Sequence, residues 1–355
     1  MKKLFLILSL MASLGLKAQY VTTFAKNVVQ PQEGGLMYYL PRNVIEMEVT
    51  IEETKYQMGP YSEYANSLLG LTNHIKENKT ELNVLDVDIH TATVADPTAV
   101  YYISQDEKSK EPMPCVILDK NGLIVAFGYD NLPSDAVAKA DELIYSDMVV
   151  SPMEDLAFID IVEALEDDDE EEGGAKKKIS KDDRANIAVN QLRKCRNAYY
   201  DIVTGFQEVA YGDATKFMAE SIKNLENEYL SLFKGKVSKR IYKKVYYLIP
   251  DKKQSNQSVT VAKLQGLDQI SIQFETKSSL ANLTPLTDDA KNTGQVNKLF
   301  YRVPVESDVK VMYNNKVLAD KRLVISQFGE IQMVPAKNNK IQFNPNTGQI
   351  ISLER

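Results

Sequence analysis

The pattern of apolar and polar positions changes period twice along the chain. From Leu36 to Ile51 the period is two: Ile45, Met47, Val49 and Ile51 alternate with Glu46, Glu48 and Thr50. Such alternation predicts a half-buried antiparallel strand. Glu81 to His90 repeats it, with Leu85, Val87 and Ile89 on one face and Asp86, Asp88 and His90 on the other. Between the two, Gly59-Pro60 breaks the chain, and Tyr61 to Leu71 reads as a short helix ending at Gly70. Asp96-Pro97 reads as a turn before a strand at Val100 to Ile103. Met113 to Leu118 and Leu123 to Phe127 flank Asp119-Lys120-Asn121-Gly122, and Asn-Gly between apolar runs predicts a hairpin. Asp135 to Tyr145 reads as a short helix.

From Asp182 to Phe233 the period becomes helical. Ala185, Ala188, Val189, Leu192, Cys195, Tyr199, Ile202 and Val203 recur in steps of three and four. Ser180 or Asp182 suits the start, and Gly205 the end. Tyr211-Gly212-Asp213 reads as a turn into a second helix with Phe217, Ile222, Leu225, Tyr229 and Leu232 inward, ended by Gly235. Two amphipathic helices this close in sequence predict a helical hairpin packed on something else. After Gly235 the period returns to two. Val237 to Leu248, Ser258 to Leu264, Gln269 to Glu275, Leu299 to Arg302, Val309 to Tyr313, Val317 to Ile325, Ile331 to Val334, Ile341 to Phe343 and Ile350 to Leu353 read as strands. Asn314-Asn315 and Pro345-Asn346-Thr347-Gly348 read as turns.

The expected fold class is therefore α+β. An antiparallel β-rich domain (19–162) follows a leader (1–18). A charged linker (163–181) then precedes the helical hairpin (182–233), packed on a C-terminal antiparallel β sandwich or partly open barrel within 182–355. In the linker, Glu166 to Glu172 is acidic and Lys176 to Lys178 basic, around Gly173-Gly174. Blocks of one charge with nothing apolar to bury do not build a core. The basic residues of Val237 to Leu248 read as a solvated face, or one paired with the acidic linker. One phrase recurs: Tyr38-Tyr39-Leu40-Pro41, Tyr246-Tyr247-Leu248-Ile249-Pro250 and Phe300-Tyr301-Arg302-Val303-Pro304 each place an aromatic pair before a proline.

Composition adds compartment and excludes chemistry. Lys2 and Lys3 precede an apolar run, Leu4 to Leu16, that is too short to span a bilayer, and Ala18 offers a cleavage site before Gln19. The expectation is an exported protein, periplasmic or extracellular, with no transmembrane anchor in the mature chain. The formal charge is -7 over 355 residues. Loss of Lys2, Lys3 and Lys17 would carry it to about -10, which speaks against nucleic acid as a partner. An oxidising compartment permits a bridge between Cys115 and Cys195, though both also read as small buried apolar residues. The chain holds no Gly-x-Ser-x-Gly, His-Glu-x-x-His, Cys-x-x-Cys, Walker A or dinucleotide motif. Its two histidines, His74 and His90, read as surface residues, so no catalytic, metal-binding or cofactor-binding residues are assigned and no cofactor is expected.

Several stretches carry a resemblance. These are Tyr38-Tyr39-Leu40-Pro41 with Glu46-Met47-Glu48-Val49, Gly59-Pro60-Tyr61-Ser62-Glu63-Tyr64-Ala65, and Leu69-Gly70-Leu71. Arg193 to Gly205, Leu225-Glu226-Asn227-Glu228-Tyr229-Leu230, Gln327-Phe328-Gly329 and Pro345-Asn346-Thr347-Gly348 continue the series in order. Together they resemble a family of exported proteins of Bacteroides-type bacteria, domain of unknown function 4831. Ile202-Val203-Thr204-Gly205-Phe206 departs from the Leu-Leu-Thr-Gly-Glu that this resemblance leads one to expect, and the acidic insertion is peculiar to this chain. The resemblance implies export and length and brings no activity or site residues. The resulting expectation is an exported cell-envelope protein, a non-enzymatic binding or assembly module. Its partner would be an envelope protein or glycan, met through exposed β surface at Tyr38, Tyr39, Tyr246 and Tyr247. The alternative is a hydrolase of cell-wall or polysaccharide material that works through paired carboxylates.

Limited trypsin digestion checks the linker. The first cuts are expected between Lys176 and Lys181; early cuts elsewhere with this stretch resistant would contradict the reading.

Overall fold

A strand carrying a proline or a glycine in its middle must bend or bulge there, and the long strands of this chain do both. A computed structural model describes residues 19–28, 34–159, 179–204, 214–262, 269–277, 283–287, 289–290 and 293–355. The leader, Gly173-Gly174 with its flanking charge blocks, and Tyr211-Gly212-Asp213 lie outside the described residues. Among those described, the first half runs β1 (Tyr20–Phe24), β2 (Leu36–Gln57), α1 (Ala65–Leu69), β3 (Lys79–Gln105), β4 (Val116–Leu118), β5 (Ile124–Phe127) and β6 (Met148–Ser151). Helices α2 (Lys181–Thr204) and α3 (Ala214–Lys234) follow, then β7 (Lys236–Leu248), β8 (Ser258–Ala262), β9 (Ile270–Thr276), β10 (Gln295–Val296), β11 (Lys298–Tyr313), β12 (Lys316–Pro335), β13 (Lys340–Phe343) and β14 (Ile350–Glu354). The protein is β-rich with antiparallel sheets, as an α+β reading requires, and none of its sheets closes into a barrel.

The chain divides into two compact units, and neither follows the expected halves. One gathers the residues up to Val49, Asp86–Asp147 and Lys244 onward; the other gathers Thr50–Leu85 and Met148–Lys243. The reason lies in strand length. β2, β3 and β7 each run past a unit boundary, so each unit takes part of the same strands. In β3 the strand continues through Asp96-Pro97 where a turn was expected, and His90 stands within the strand rather than at its end.

In the first unit, β10, β1, β3 and β2 are successive neighbours in one sheet; β12-β11-β9-β8 and β14-β13-β5-β4 form two others. The core is aromatic. Tyr101 stacks on Phe300 with centroids 4.2 Å apart, and Tyr38 stacks on Tyr101 at 5.6 Å. Tyr20 meets Phe127 at 5.2 Å. Leu40, Ile103, Leu299, Ile341 and Phe343 close around them. Turn chemistry sets the hairpins. Asn314 and Asn315 take φ of 49° and 59°, joining Tyr313 to Lys316 as the sequence predicts. At the other predicted hairpin, Asp119 Oδ1 accepts from Asn121 N and Leu123 N while Gly122 takes φ of 79°. Asp135 to Tyr145 is not helical. Its amides are claimed by side chains of other segments: Glu46 accepts from Ile144 N at 3.0 Å and Tyr145 N at 3.1 Å, and Asn346 Oδ1 from Asp141 N at 2.7 Å. These tertiary bonds outcompete a local helical ladder.

In the second unit the helical hairpin is present, and its buried face packs on Tyr61 and α1 as well as on itself. Ala185, Ala188, Val189, Leu192 and Cys195 of α2 meet Tyr229, Leu232 and Phe233 of α3. The inward face is shorter than the periodicity predicts. Val203, Phe217 and Leu225 are exposed, and Phe233 takes a buried place instead. Ser180 caps α2, its Oγ accepting from Asp183 N at 3.1 Å. The basic residues of β7 pair with carboxylates of β2 and α3: Lys239 with Glu52 at 3.2 Å, Arg240 with Glu53, and Lys236 with Glu228 at 2.6 Å.

Tyr38 is fully buried, and its hydroxyl accepts from Phe300 N at 2.9 Å and donates to Phe300 O at 3.3 Å. Tyr38→Phe strands that buried N–H, so it should lower unfolding free energy by about 1–3 kcal/mol. Chemical denaturation measures this, and an unchanged stability would contradict the role given to the hydroxyl.

Candidate functional site

Pro304 has no N–H and cannot hold a ladder bond in the middle of β11. Opposite it, β12 bulges. Val303 pairs with Glu330 and Val305 with Ile325, so Ser326, Gln327, Phe328 and Gly329 all stand against one residue. Glycine is required at 329, since a Cβ there would lie 1.8 Å from Val303 O. The bulge turns Gln327 toward β2. Asn43 N donates to Gln327 Oε1 at 3.0 Å, and Gln327 Nε2 donates to Asn43 O at 2.8 Å. The Asn43 side chain accepts from Ser326 N at 2.7 Å and donates to Thr93 Oγ1 and Asn346 O. Three stretches that carry the sequence resemblance thus meet at one buried asparagine: the segment after Tyr38-Tyr39-Leu40-Pro41, the Gln327-Phe328-Gly329 bulge and the Pro345 to Gly348 turn.

Beside this network lies Arg302, 6% exposed. Its backbone N donates to Gly348 O at 3.1 Å, and a Cβ on Gly348 would come within 2.9 Å of the Arg302 side chain. Its guanidinium pairs with Asp96, Nη2 to Oδ2 at 2.5 Å, and Asp96 also accepts from Thr98 N and Oγ1. Burial works against ionisation of Asp96, but the two Thr98 donors and the Arg302 charge together hold its carboxyl below the ordinary value. Burial likewise pulls Arg302 down, against the support of Asp96. Arg302 Nη1 and Arg42 Nε are buried and donate to no acceptor among the described residues. Each such donor costs about 1–3 kcal/mol. Arg302 forms part of the wall of a cavity of about 210 Å³, with Lys252, Leu286, Gln327, Gly329, Glu330 and Ile331. Lys252 pairs with Glu330 at its rim.

A second feature is an open sheet edge in the other unit. Among the described residues β6 is the last strand of its sheet and pairs with β7 alone, at Met148↔Lys243, Val149↔Tyr242 and Ser151↔Ile241. Met148, Val149 and Val150 are 51%, 62% and 50% exposed. Consecutive strand residues point to opposite faces, so both faces of β6 are open. Edge strands normally carry charges that discourage pairing, as edge strand β12 does at Lys316, Asp320, Lys321 and Arg322. β6 carries none.

The residues singled out from sequence are scattered. Tyr38 is in the core and is not a surface residue. Tyr39 is half-buried against Gly122, and its N donates to Gly122 O at 2.9 Å. Tyr246 is half-buried, and Tyr247 is 51% exposed with its hydroxyl donating to Tyr145 O at 3.2 Å. Cys115 and Cys195 are both free thiols, so no bridge joins them. Cys195 packs inside the helical core, whereas Cys115 is exposed just before β4 and is not the buried apolar residue its surroundings predict. His90 lies 3.8 Å from Asp88, beside the Lys321–Asp88 pair; the Lys321 hydrogen bond is the chief reason the Asp88 carboxyl sits near pKa 2. Among the described residues no three His, Cys, Asp or Glu side chains converge as a metal site would need. The other described cavities are lined by Lys55, Tyr56 and Lys79, by Tyr61, Lys181 and Arg184, and by Glu63, His74 and Lys76, and none of the four holds two carboxylates. Sequence reading missed Arg302 and Asp96, because their pairing joins strands 206 residues apart. The one local signal was Pro304, which marked a break in β11.

The model of a family described as domain of unknown function (DUF4831) matches residues 34–351. No curated protein and no solved structure matches the chain.

Removing Asp96 would leave Arg302 buried without a counter-charge. Asp96→Ala should cost about 3–5 kcal/mol in denaturant unfolding, and adding Arg302→Met should recover part of it. A cost of the double variant equal to the sum of the two single-variant costs would show that the pair is not coupled.

Proposed function

For a chain that belongs to the family described as domain of unknown function (DUF4831), we propose a non-enzymatic role in the cell envelope. The protein takes an extended segment of a partner polypeptide as an added strand along β6. The observation that carries this reading is the uncharged edge with three consecutive exposed apolar side chains, Met148, Val149 and Val150. Such an edge pairs backbone to backbone and selects its partner through alternate side chains. Tyr247 belongs to the reading as an exposed aromatic, while Tyr39 and Tyr246 are half-buried and less available. Export rests on the sequence, from the Lys2-Lys3 start and the apolar run to Leu16. No helix among the described residues is long and apolar enough to cross a membrane. Each of the four cavities named above holds at most one carboxylate, and the exposed edge of β6 is the observation that favours binding.

Val149→Lys places a charge on the edge without touching a core. Recovery of a partner from envelope extract should fall about tenfold, a 1.4 kcal/mol loss. Stability should stay within about 0.5 kcal/mol of the unmodified protein. Amide exchange at β6 should slow in the complex and stay fast with the variant. Recovery unaffected by Val149→Lys would overturn the edge as the binding surface, and glycan turnover abolished by a single Asp or Glu change would overturn the non-enzymatic role.

A further inference from the structure

We propose that the cavity beside Arg302 binds a small oxyanion, the carboxylate or phosphate head group of a ligand. The charges favour it. Arg302 and Lys252 stand in its wall with Glu330, and Arg42 is near enough for its charge to act on Arg302. The buried counter-charge of Arg302, Asp96, is already engaged by Arg302 Nη2 and by both donors of Thr98. Arg302 Nη1 is left as a buried donor with no acceptor among the described residues. A guanidinium donor without an acceptor, on an arginine of the cavity wall, calls for an acceptor that carries negative charge. Guanidinium forks match planar carboxylate and tetrahedral phosphate oxygens better than any neutral group.

The geometry fits the same ligand. A volume of about 210 Å³ is well above the roughly 30 Å³ that a water occupies in the liquid, so a group of several heavy atoms can enter. Leu286 and Ile331 make part of the wall apolar, which strengthens charge interactions by excluding water. Lys252 stands half-exposed at the entrance, where a flexible ammonium can follow an incoming anion. Gln327 and Gly329 are held by the bulge and by Asn43, so this side of the cavity is rigid before any ligand arrives. A cation would meet no free acceptor on Arg302 or Lys252, and a purely apolar ligand would leave the Arg302 donor unmatched.

The test uses the full chain, with inorganic phosphate, acetate and hexanoate titrated at constant ionic strength and followed by calorimetry and by the arginine Nε–H signals of an NMR spectrum. Saturable binding of phosphate or acetate is expected, with the Arg302 and Arg42 signals shifting together. Tighter binding of hexanoate than of acetate would assign the apolar wall to a ligand stem; equal binding would assign the site to a bare oxyanion. Arg302→Met could fail to fold, so two peripheral variants carry the test. Lys252→Gln should weaken binding about tenfold with the melting temperature unchanged, and Leu286→Glu should abolish binding with a lower melting temperature, because Leu286 also packs against the aromatic core. Absence of saturable binding in the unmodified protein, or affinities that neither variant alters, would overturn the proposal.

Discussion

Asn43 holds together what Pro304 would otherwise pull apart. A proline in the middle of β11 forces β12 out of register, and a bulge of four residues would leave buried amides without partners. The Gln327 side chain resolves this because its amide has the same donor and acceptor as a peptide group. It pairs with both backbone groups of Asn43, as an extra strand residue would. The Asn43 side chain then ties down Ser326, Thr93 and Asn346. No hydrophobic substitute could do this, since every partner is a buried polar group, and the members of such a network do not contribute additively. The Arg302–Asp96 pair, the Gly348 turn and the cavity wall all sit where they do because this junction is fixed.

The aromatic core follows from the same strands. Tyr38 lies on β2 five residues before Asn43, and Phe300 on β11 four residues before Pro304, so the strands that meet at the network also carry the stacked rings. The recurring phrase of aromatic pair before proline has a physical meaning in two of its three copies. Tyr38 and Phe300 are joined through the tyrosine hydroxyl and the phenylalanine backbone, and each phrase ends where its strand reaches the polar junction. In the third copy Tyr247 faces solvent, so likeness in sequence does not carry likeness in place.

What was legible in the sequence was what local chemistry decides. Asn121-Gly122 and Asn314-Asn315 turn where their tolerance of positive φ says they should, and the helical steps from Ala185 to Cys195 face inward as counted. The failures are all tertiary. Asp135 to Tyr145 has helical spacing but gives its amides to Glu46 and Asn346, which no window of sequence contains. Asp96-Pro97 has turn chemistry, yet Asp96 is fixed by Arg302 and the strand runs on. Phe217 and Leu225 continue the apolar stripe of α3 beyond the core that could cover them. The basic strand β7 is neutral in context because Glu52, Glu53 and Glu228 stand beside it. The candidate cavity was invisible for the same reason: its walls are contributed by residues from Lys252 to Ile331, and its counter-ion by Asp96.

The discontinuity of the units sets a timetable for folding. β1 finds β3 within the first third of the chain, yet Val21 also pairs with Val296, and Tyr38 waits for Phe300. The unit that holds the aromatic core therefore has a high contact order, and its loop-closure entropy is met only when the last sixth of the chain is available. Residues Thr50–Leu85 and Met148–Lys243 have no such wait and can collapse as a unit while the rest is still being synthesised. Until the C-terminal strands emerge, the outer edge of β1 lacks β10 and Tyr38 lacks Phe300, and a nascent chain in that state is the form of this protein most in need of a chaperone.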